Sequence, residues 1–323
     1  MILLRGLIET ASKVEPVAST TTIAKTTLGR IARRFPLTDN AKREARFSGT
    51  ADAKPFLQWV GGKRDLLSQC SDFFPRQYKN YYEPFLGGGA VFFHLKPQKA
   101  ILSDSNAELI RSYEGVRDEP EMVIDILKIL KSKHSEDLYM RIRLVDRELD
   151  ILKDLSAAEV AARMVYLNQT GFNGLYRVNR RGEFNVPIGS SLNRLICDED
   201  GIRTASNALQ KVTIAKSDFE EAVSSAGKGD LVYMDPPYHP VSEYSDFTRY
   251  TKEKFYEEDQ VRLRDLATDL VDRGCKVMLS NSDCPLIRNV YRGFRVHKVK
   301  ANRLLNSRAE KRGQVSELLI TNF

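Results

Sequence analysis

The stretch that most restricts what this chain can fold into is Leu231-Val232-Tyr233-Met234-Asp235-Pro236-Pro237-Tyr238. Its first four residues are apolar or aromatic and carry no charge, which suits a buried parallel strand. Asp235 stands where that strand ends. Two prolines then forbid its continuation, because neither can donate to a ladder and both fix φ. A carboxylate, a rigid carbonyl-bearing turn and an aromatic ring are thus delivered together to the carboxyl edge of a strand, where open α/β sheets bind ligands. The same residues also suit a plain strand end with a capping Asp and a surface Tyr. The rest of the chain decides between these readings.

Three other segments share that design. Phe56-Leu57-Gln58-Trp59-Val60-Gly61-Gly62-Lys63 sets a glycine pair and a lysine before an amphipathic run. Such a loop exposes backbone N–H groups at a helix N-terminus and suits a carboxylate or phosphate. Its glycine spacing is not that of a P-loop, and Trp59 has a purely structural reading as well. Tyr81 to Phe93 reads as a strand, the turn Phe85-Leu86-Gly87-Gly88-Gly89, then a helix, as in nucleotide-binding α/β units. Glycine lets a backbone approach a ligand where a Cβ would clash. Ala100 to Asn106 is a strand ending on Asp104, where Rossmann-like folds place an acid for ribose hydroxyls. Capping of a helix that begins near Ala107 is the plain alternative for Asp104. Val212 to Ala215 is a further strand, with Asp218 just beyond its end.

Between these units, Glu121–Lys131, Glu136–Leu155 and Ala157–Leu167 show apolar residues at three- and four-residue spacing, which predicts helices. Asn168 to Gly189 breaks that pattern with interleaved Gly, Asn, Arg and aromatic residues, the mixture that reads base edges and stacks on bases. Downstream, Gln260–Arg273 predicts an amphipathic helix stopped by Gly274, and Lys276–Asn281 and Val315–Asn322 predict strands. Val241–Thr251 is polar and loop-like, able to close over a site. The expected fold is α/β: a mixed, mostly parallel sheet with helices on both faces, made from 55–104 and 205–323. A mostly helical region, 105–204, is inserted between them, and 1–54 is a flexible basic extension.

Charge points to a polyanion. The net charge is +7 over 323 residues, but it is unevenly placed. Residues 1–54 hold ten Lys/Arg against five Asp/Glu, and Arg292 to Arg312 hold eight against one. Concentrated basic segments favour nucleic acid more than uniform basicity would. Four scattered cysteines and four scattered histidines offer neither a disulfide scaffold nor a metal constellation. No apolar stretch approaches the roughly 20 residues of a membrane span. The Ser/Thr- and Arg-rich start is similar to an organelle transit peptide, but four acidic residues within the first 44 run against that pattern.

Taken in order, Phe56 to Lys63, Phe85 to Gly89, Asp104 and Asp235-Pro236-Pro237-Tyr238 resemble the motifs of Dam-type (class alpha, D12) DNA adenine-N6 methyltransferases. The likeness runs from about Pro55 to Phe323, and Arg181-Gly182-Glu183-Phe184-Asn185-Val186-Pro187 looks like that family's target-recognition hairpin. It implies a Rossmann-like methyltransferase sheet, an inserted target-recognition domain and S-adenosylmethionine as methyl donor. By that resemblance Trp59 and Lys63 flank the methionine end of the donor, and Phe85, Gly87 and Gly89 line it. Asp104 holds its ribose, Asp218 meets its adenine, and Asp235 also borders it.

The residues of the opening stretch suit this chemistry. An exocyclic adenine nitrogen is a poor nucleophile, because its lone pair is conjugated with the ring. The Asp235 carboxylate and the Pro236 carbonyl can accept its two N–H bonds and turn it tetrahedral, a case of catalysis by preorganised acceptors. Tyr238 would stack on a base flipped out of the duplex. On the DNA side the resemblance points to Phe172 and Asn173 at the vacated space and Arg177 on a guanine. Leu175 and Pro187 would meet thymine methyls, with Asn179 and Asn185 alongside. These would match a GATC-like site. The chain departs from the pattern at Gln58, Phe172 and Ser190, where the family often has Lys, Tyr and a basic residue. The expected partners are double-stranded DNA and a cognate restriction endonuclease. The expected state is a monomer in the cytoplasm of a bacterial, phage or plasmid host, with organelle targeting as the alternative. Cytosine-N4 methylation, RNA adenine methylation and a catalytically silent DNA-binding relative are the competing readings.

Overall fold

The computed structural model describes residues 52–59, 67, 69–190, 195–239, 255–302 and 314–323. The extension before residue 52, Lys63 and the 241–251 loop lie outside the described residues. Seven strands form one sheet: β1 (Tyr81–Glu83), β2 (Ala100–Asp104), β3 (Val212–Lys216), β4 (Leu231–Met234), β5 (Lys276–Ser282), β6 (Arg295–Asn302) and β7 (Gln314–Thr321). Their order is β3-β2-β1-β4-β5-β7-β6. The first five in that order pair in parallel, and β7 runs antiparallel to both neighbours. From β1 the chain moves outward through β2 to β3, then returns to lay β4 on the other side of β1. The order therefore reverses between β1 and β4, and it is beyond the carboxyl ends at such a reversal that open α/β sheets form their ligand crevice.

Strand alternation sends successive side chains to opposite faces, and the two faces bury separate cores. Tyr81, Leu102, Leu231, Tyr233 and Met278 join one apolar cluster. Tyr82, Val232, Met234, Val277 and Leu279 join the other. The helices, in chain order, are α1 (Ala90–Leu95), α2 (Ala107–Asp118), α3 (Pro120–Ser132), α4 (Glu136–Leu144), α5 (Leu149–Asp154), α6 (Ala157–Thr170), α7 (Glu199–Leu209), α8 (Phe219–Ala222), α9 (Glu257–Asp272) and α10 (Pro285–Val290). Buried residues of α2, α3, α4, α6 and α7 fill the first cluster, and those of α8, α9 and α10 fill the second. The sheet is thus covered on both faces, as a parallel sheet must be.

Local chemistry sets the helix starts. Ser156 and Glu159 form a reciprocal capping box at the start of α6. Pro120 opens α3 without losing a needed N–H. At Gly115 of α2 an added Cβ would strike the Ala157 carbonyl, so α2 and α6 cross at backbone contact.

Two stretches differ from the sequence expectation. Glu136–Leu155 is not one helical run: it breaks into α4, a 3₁₀ turn at Val145–Arg147, and α5. The break turns the Asp146 carboxylate inward to accept from the Phe184 amide at 2.6 Å. The basic segment after Arg292 contains strand β6. Its outward cations, with Val299 the one buried residue among those whose burial is described, hide the period-2 signal and suit an edge strand.

Candidate active site

Strand register leads directly to Asp235. Met234 pairs with Leu279, so Asp235 and Ser280 come next, side by side. The Ser280 hydroxyl donates to Asp235 Oδ1 at 2.9 Å, and the Tyr233 hydroxyl lies 3.0 Å from the same Ser280 oxygen. On the other flank Tyr82 pairs with Val232, which sets Glu83 beside Tyr233. Tyr81 donates its hydroxyl to Glu83 Oε2 at 2.8 Å. Burial pushes the Glu83 carboxyl up to about 8, the Tyr81 hydrogen bond opposes the rise, and the nearby Asp235 charge adds to it. Alternation places Tyr81, Glu83, Tyr233, Asp235 and Ser280 on one face of the sheet. No helix starts at residues 235–239, so Asp235 is not a cap.

Both faces of β5 grip the same turn, Asn281 from the opposite face and Ser282 from the Ser280 face. Asn281 is fully buried and donates to Gln260 Oε1 at 2.9 Å, while Gln260 of α9 donates to the Pro237 carbonyl at 3.2 Å. Ser282 donates its hydroxyl to the His239 carbonyl at 2.9 Å, and the His239 amide reaches Asn281 Oδ1 at 3.4 Å. Tyr238 donates to Glu317 Oε2 of β7 at 2.8 Å. The turn after β4 is therefore held at the carboxylate, at a proline carbonyl and at the tyrosine hydroxyl.

Across the crevice, Gly87 and Gly89 adopt positive φ of 48° and 67°, where glycine is strain-free. Asp104 accepts from the Gly87 amide at 3.0 Å and from the Asn106 amide at 2.9 Å. Burial raises the Asp104 carboxyl, opposed by backbone amides of Asn106, Gly87 and Ser105. The cap of α2 is Asn106, which accepts from the Glu108 and Leu109 amides, so the capping alternative for Asp104 does not hold. The close approaches at this turn are protein contacts: an added Cβ would meet Trp59 at Gly87 and Gly88, and the Tyr113 hydroxyl at Gly89. Trp59 also stacks on Tyr176, with ring centroids 5.0 Å apart. Next to the turn, Phe85 stacks on Phe219 at 5.4 Å, with Phe255 edge-on to Phe85. Asp218 caps α8 through the Glu220 amide and meets Arg262 at 3.4 Å.

The segment 170–189 forms a hairpin, with backbone bonds Asn185 N to Arg177 O, Asn179 N to Glu183 O and Phe172 N to Pro187 O. Tyr176, Val178, Phe184 and Val186 point into the core, while Arg177, Asn179, Asn185 and Pro187 take the alternate, outward positions. Phe172 is exposed at the hairpin base, beside Asn173 in a left-handed conformation. Arg177 donates through Nε to Asn185 Oδ1 at 2.8 Å. The hairpin's inner side is docked by Tyr139 on the Val186 carbonyl and by Asp146 and Arg147 on Phe184. Arg163, buried between Glu108 and Asp146, locks those anchors together.

Residues 59–305 match the family described as D12 class N6 adenine-specific DNA methyltransferase. The chain belongs to that family. It is 45% identical over 272 residues to the Type II methyltransferase M1.LlaDCHI of Lactococcus lactis, covering 84% of this chain and 95% of that one. It is 38% identical to the Type II methyltransferase M.MjaIII of Methanocaldococcus jannaschii, covering 84% of this chain and 100% of that one. The DNA adenine methylase of Escherichia coli is 32% identical over 268 residues, covering 82% of this chain and 94% of that one.

In this D12-class methyltransferase the structure gathers Gly87, Gly89, Asp104 and Trp59 around the glycine turn at the ends of β1 and β2, with Tyr113 between the two glycines, while Phe85 at the start of that turn packs on Phe219 and Phe255. Asp235, Pro236 and Tyr238 follow the neighbouring strand β4. Asp218 sits further out, at the end of β3 and half exposed. Sequence reasoning passed over Glu83, Ser280, Asn281 and Gln260. Two signals were present: polar residues at the end of an apolar strand, and a glutamine on the buried side of an amphipathic helix. Among the described residues no cluster of His, Cys, Asp or Glu could hold a metal, and no helix is long and apolar enough to cross a membrane.

Proposed function

We propose that this chain transfers a methyl group from S-adenosylmethionine to the N6 of an adenine flipped out of a short duplex DNA site. The observation that carries this reading is Asp235, fixed by Ser280 at the strand-order reversal and followed by a turn tethered at Pro237 and Tyr238. The site suits the donor: Asp104 accepts from the backbone amides of Gly87, Asn106 and Ser105, and a carboxylate's remaining acceptor capacity suits a ribose hydroxyl. The half-buried Phe85 presents an apolar wall beside it, and Trp59 covers the glycine turn. When bound, S-adenosylmethionine supplies a methyl carbon on a positively charged sulfur. The protein's own part is to hold the amine: Asp235 and the Pro236 carbonyl accept its N–H bonds, and Tyr238 supports the base. So held, the nitrogen would present its lone pair to that methyl carbon, and the proton the amine sheds would leave along its hydrogen bond to Asp235.

The proposed target is a GATC-like site read by the hairpin, with Arg177 on guanine and Phe172 and Asn173 at the vacated base position. The region 105–204 acts as the recognition domain. Similarity to two Type II methyltransferases supports a place in restriction-modification, with an endonuclease as counterpart. Methylation-aware sequencing of DNA from cells expressing the chain reports base and site together, and should show N6-methyladenine at one short motif. Asp235→Ala should remove that signal, with a loss of at least about a hundredfold in rate, while the protein stays folded. Methylation of cytosine, or full activity of Asp235→Ala, overturns the reading.

A further inference from the structure

We propose that Tyr233 and Ser280 form a one-way hydrogen-bond relay that keeps Asp235 ionised and fixes the rotation of its carboxylate. This rests on the reading of Asp235 as acceptor of the target amine. The direction follows from counting protons. A serine hydroxyl has one proton to give, and here it goes to Asp235 Oδ1 at 2.9 Å. The Tyr233–Ser280 contact at 3.0 Å must then be donated by Tyr233. Both residues are buried, with Ser280 at 0% exposure and Tyr233 at 2%. No solvent competes for either hydroxyl, and chained hydrogen bonds strengthen one another in such a setting.

The relay answers a specific electrostatic problem. Asp235 faces the Glu83 carboxyl from β1, backed by Tyr81, and it faces Tyr238, which is tethered to Glu317 of β7. Where the Glu83 and Glu317 carboxyls are ionised, they favour a protonated Asp235. A protonated carboxyl would offer a donor where the amine needs an acceptor. The donated hydroxyl of Ser280, polarised by Tyr233, favours the charged form instead. Tyr233 and Ser280 are thus positioning residues, acting on the amine only through Asp235.

Single-turnover methyl transfer across pH, with excess protein and a duplex carrying the site, tests this. The variants are Tyr233→Phe, Ser280→Ala, their double and Asp235→Asn. Removing a donor to the charged form raises the Asp235 pKa, so the acid limb of the rate profile should move to higher pH. The expected shift is about one unit, a tenfold rate loss on that limb, for Ser280→Ala, and less for Tyr233→Phe. The apparent KM for DNA should not change. In a serial relay Tyr233→Phe adds nothing once Ser280 is gone, so the double variant should match Ser280→Ala. Carbon-13 NMR titration of the Asp235 carboxyl, without methyl donor, should show the same rise. Tyr233→Phe deletes one oxygen and keeps the test open should Ser280→Ala fail to fold. Additive effects, or an unmoved acid limb and carboxyl titration, overturn the relay. Full activity of Asp235→Asn overturns the underlying reading, whereas an inactive Asp235→Asn beside wild-type profiles for the other variants overturns the relay alone.

Discussion

The turn at Asp235–His239 and the hairpin tip at Arg177–Asn185 both bring polar groups to the surface, but different parts of the fold hold them. The turn is held from outside itself. Ser280, Asn281 and Ser282 of β5, Gln260 of α9 and Glu317 of β7 all bond to it, and these partners lie 23 to 79 residues away in sequence. The hairpin tip is held mainly by its own residues. Arg177 bonds to Asn185, and Asn179 bonds to Glu183 and to the amides of Arg181 and Glu183. Catalytic groups placed on rigid elements and gripped by buried partners keep one geometry through the reaction. A hairpin that satisfies its own polar groups can exchange those bonds for base contacts when DNA arrives. Under the proposed function, chemistry is built into the sheet, while recognition sits on the outward face of a hairpin whose inner face is docked in the core.

If this contrast holds, stability should respond to pH at the crevice and not at the hairpin. Unfolded Glu83 ionises near its ordinary value of 4.5, whereas the folded carboxyl is pushed up to about 8. Between those values the unfolded chain releases a proton that the folded protein keeps. Wild-type stability should therefore be highest below that window and fall as pH rises through it, by on the order of a few kcal/mol. Glu83→Gln still accepts from Tyr81 but has no proton to lose, so its stability should change less over the same range. Urea midpoints of both proteins at about pH 5 and about pH 8 check this; parallel changes would mean that Glu83 is ionised in the fold.

Asn281→Leu should come next in size. It removes the donor to Gln260 and the acceptor near His239, and leaves a buried glutamine oxygen unsatisfied. The expected loss is about 1–3 kcal/mol of stability, with at least a tenfold lower kcat as the turn loosens. Unchanged kcat at lowered stability would show that the turn does not need its outside grip. Arg177→Ala should leave kcat at saturating DNA alone. It should instead reduce discrimination against altered sites by about 1–3 kcal/mol, read by comparing kcat/KM on cognate and single-substitution duplexes.

Much of the sheet was legible because several of its strands are short apolar runs with an acid at or just past the end. Leu231–Met234 and Ala100–Asp104 were visible for that reason. β6 was not, because an edge strand rich in Arg and Lys has no apolar alternation. At the site, residues with a chemical signature of their own were legible: Asp235 behind a strand and before two prolines, and Asp104 at a strand end. Ser280, Asn281 and Gln260 were not, because their role depends on register between β4 and β5 and on the face that α9 presents. Arg177, Asn179, Asn185 and Pro187 do share the outward face. That alternation was in the sequence, but a folded hairpin was needed to show that two of the four bond to each other.

Asn179→Ala makes the smallest and sharpest test of the contrast. Its side-chain oxygen accepts from the Arg181 and Glu183 amides at 2.8 and 3.1 Å, and its nitrogen donates to Glu183 at 2.7 Å, an Asx-type turn. Arg181 and Gly182 are exposed there, so water can take over most of these bonds and the net cost should be about 1 kcal/mol or less. That cost should stay local, because Tyr139, Asp146 and Arg147 dock the hairpin from its other side. The expected outcome is faster hydrogen exchange at the Arg181 and Glu183 amides, with the unfolding midpoint nearly unmoved and kcat at saturating DNA retained. A drop in global stability as large as that of Asn281→Leu would show that the tip is tied into the core, and the hairpin would then be as rigid a part of the machine as the turn at Asp235.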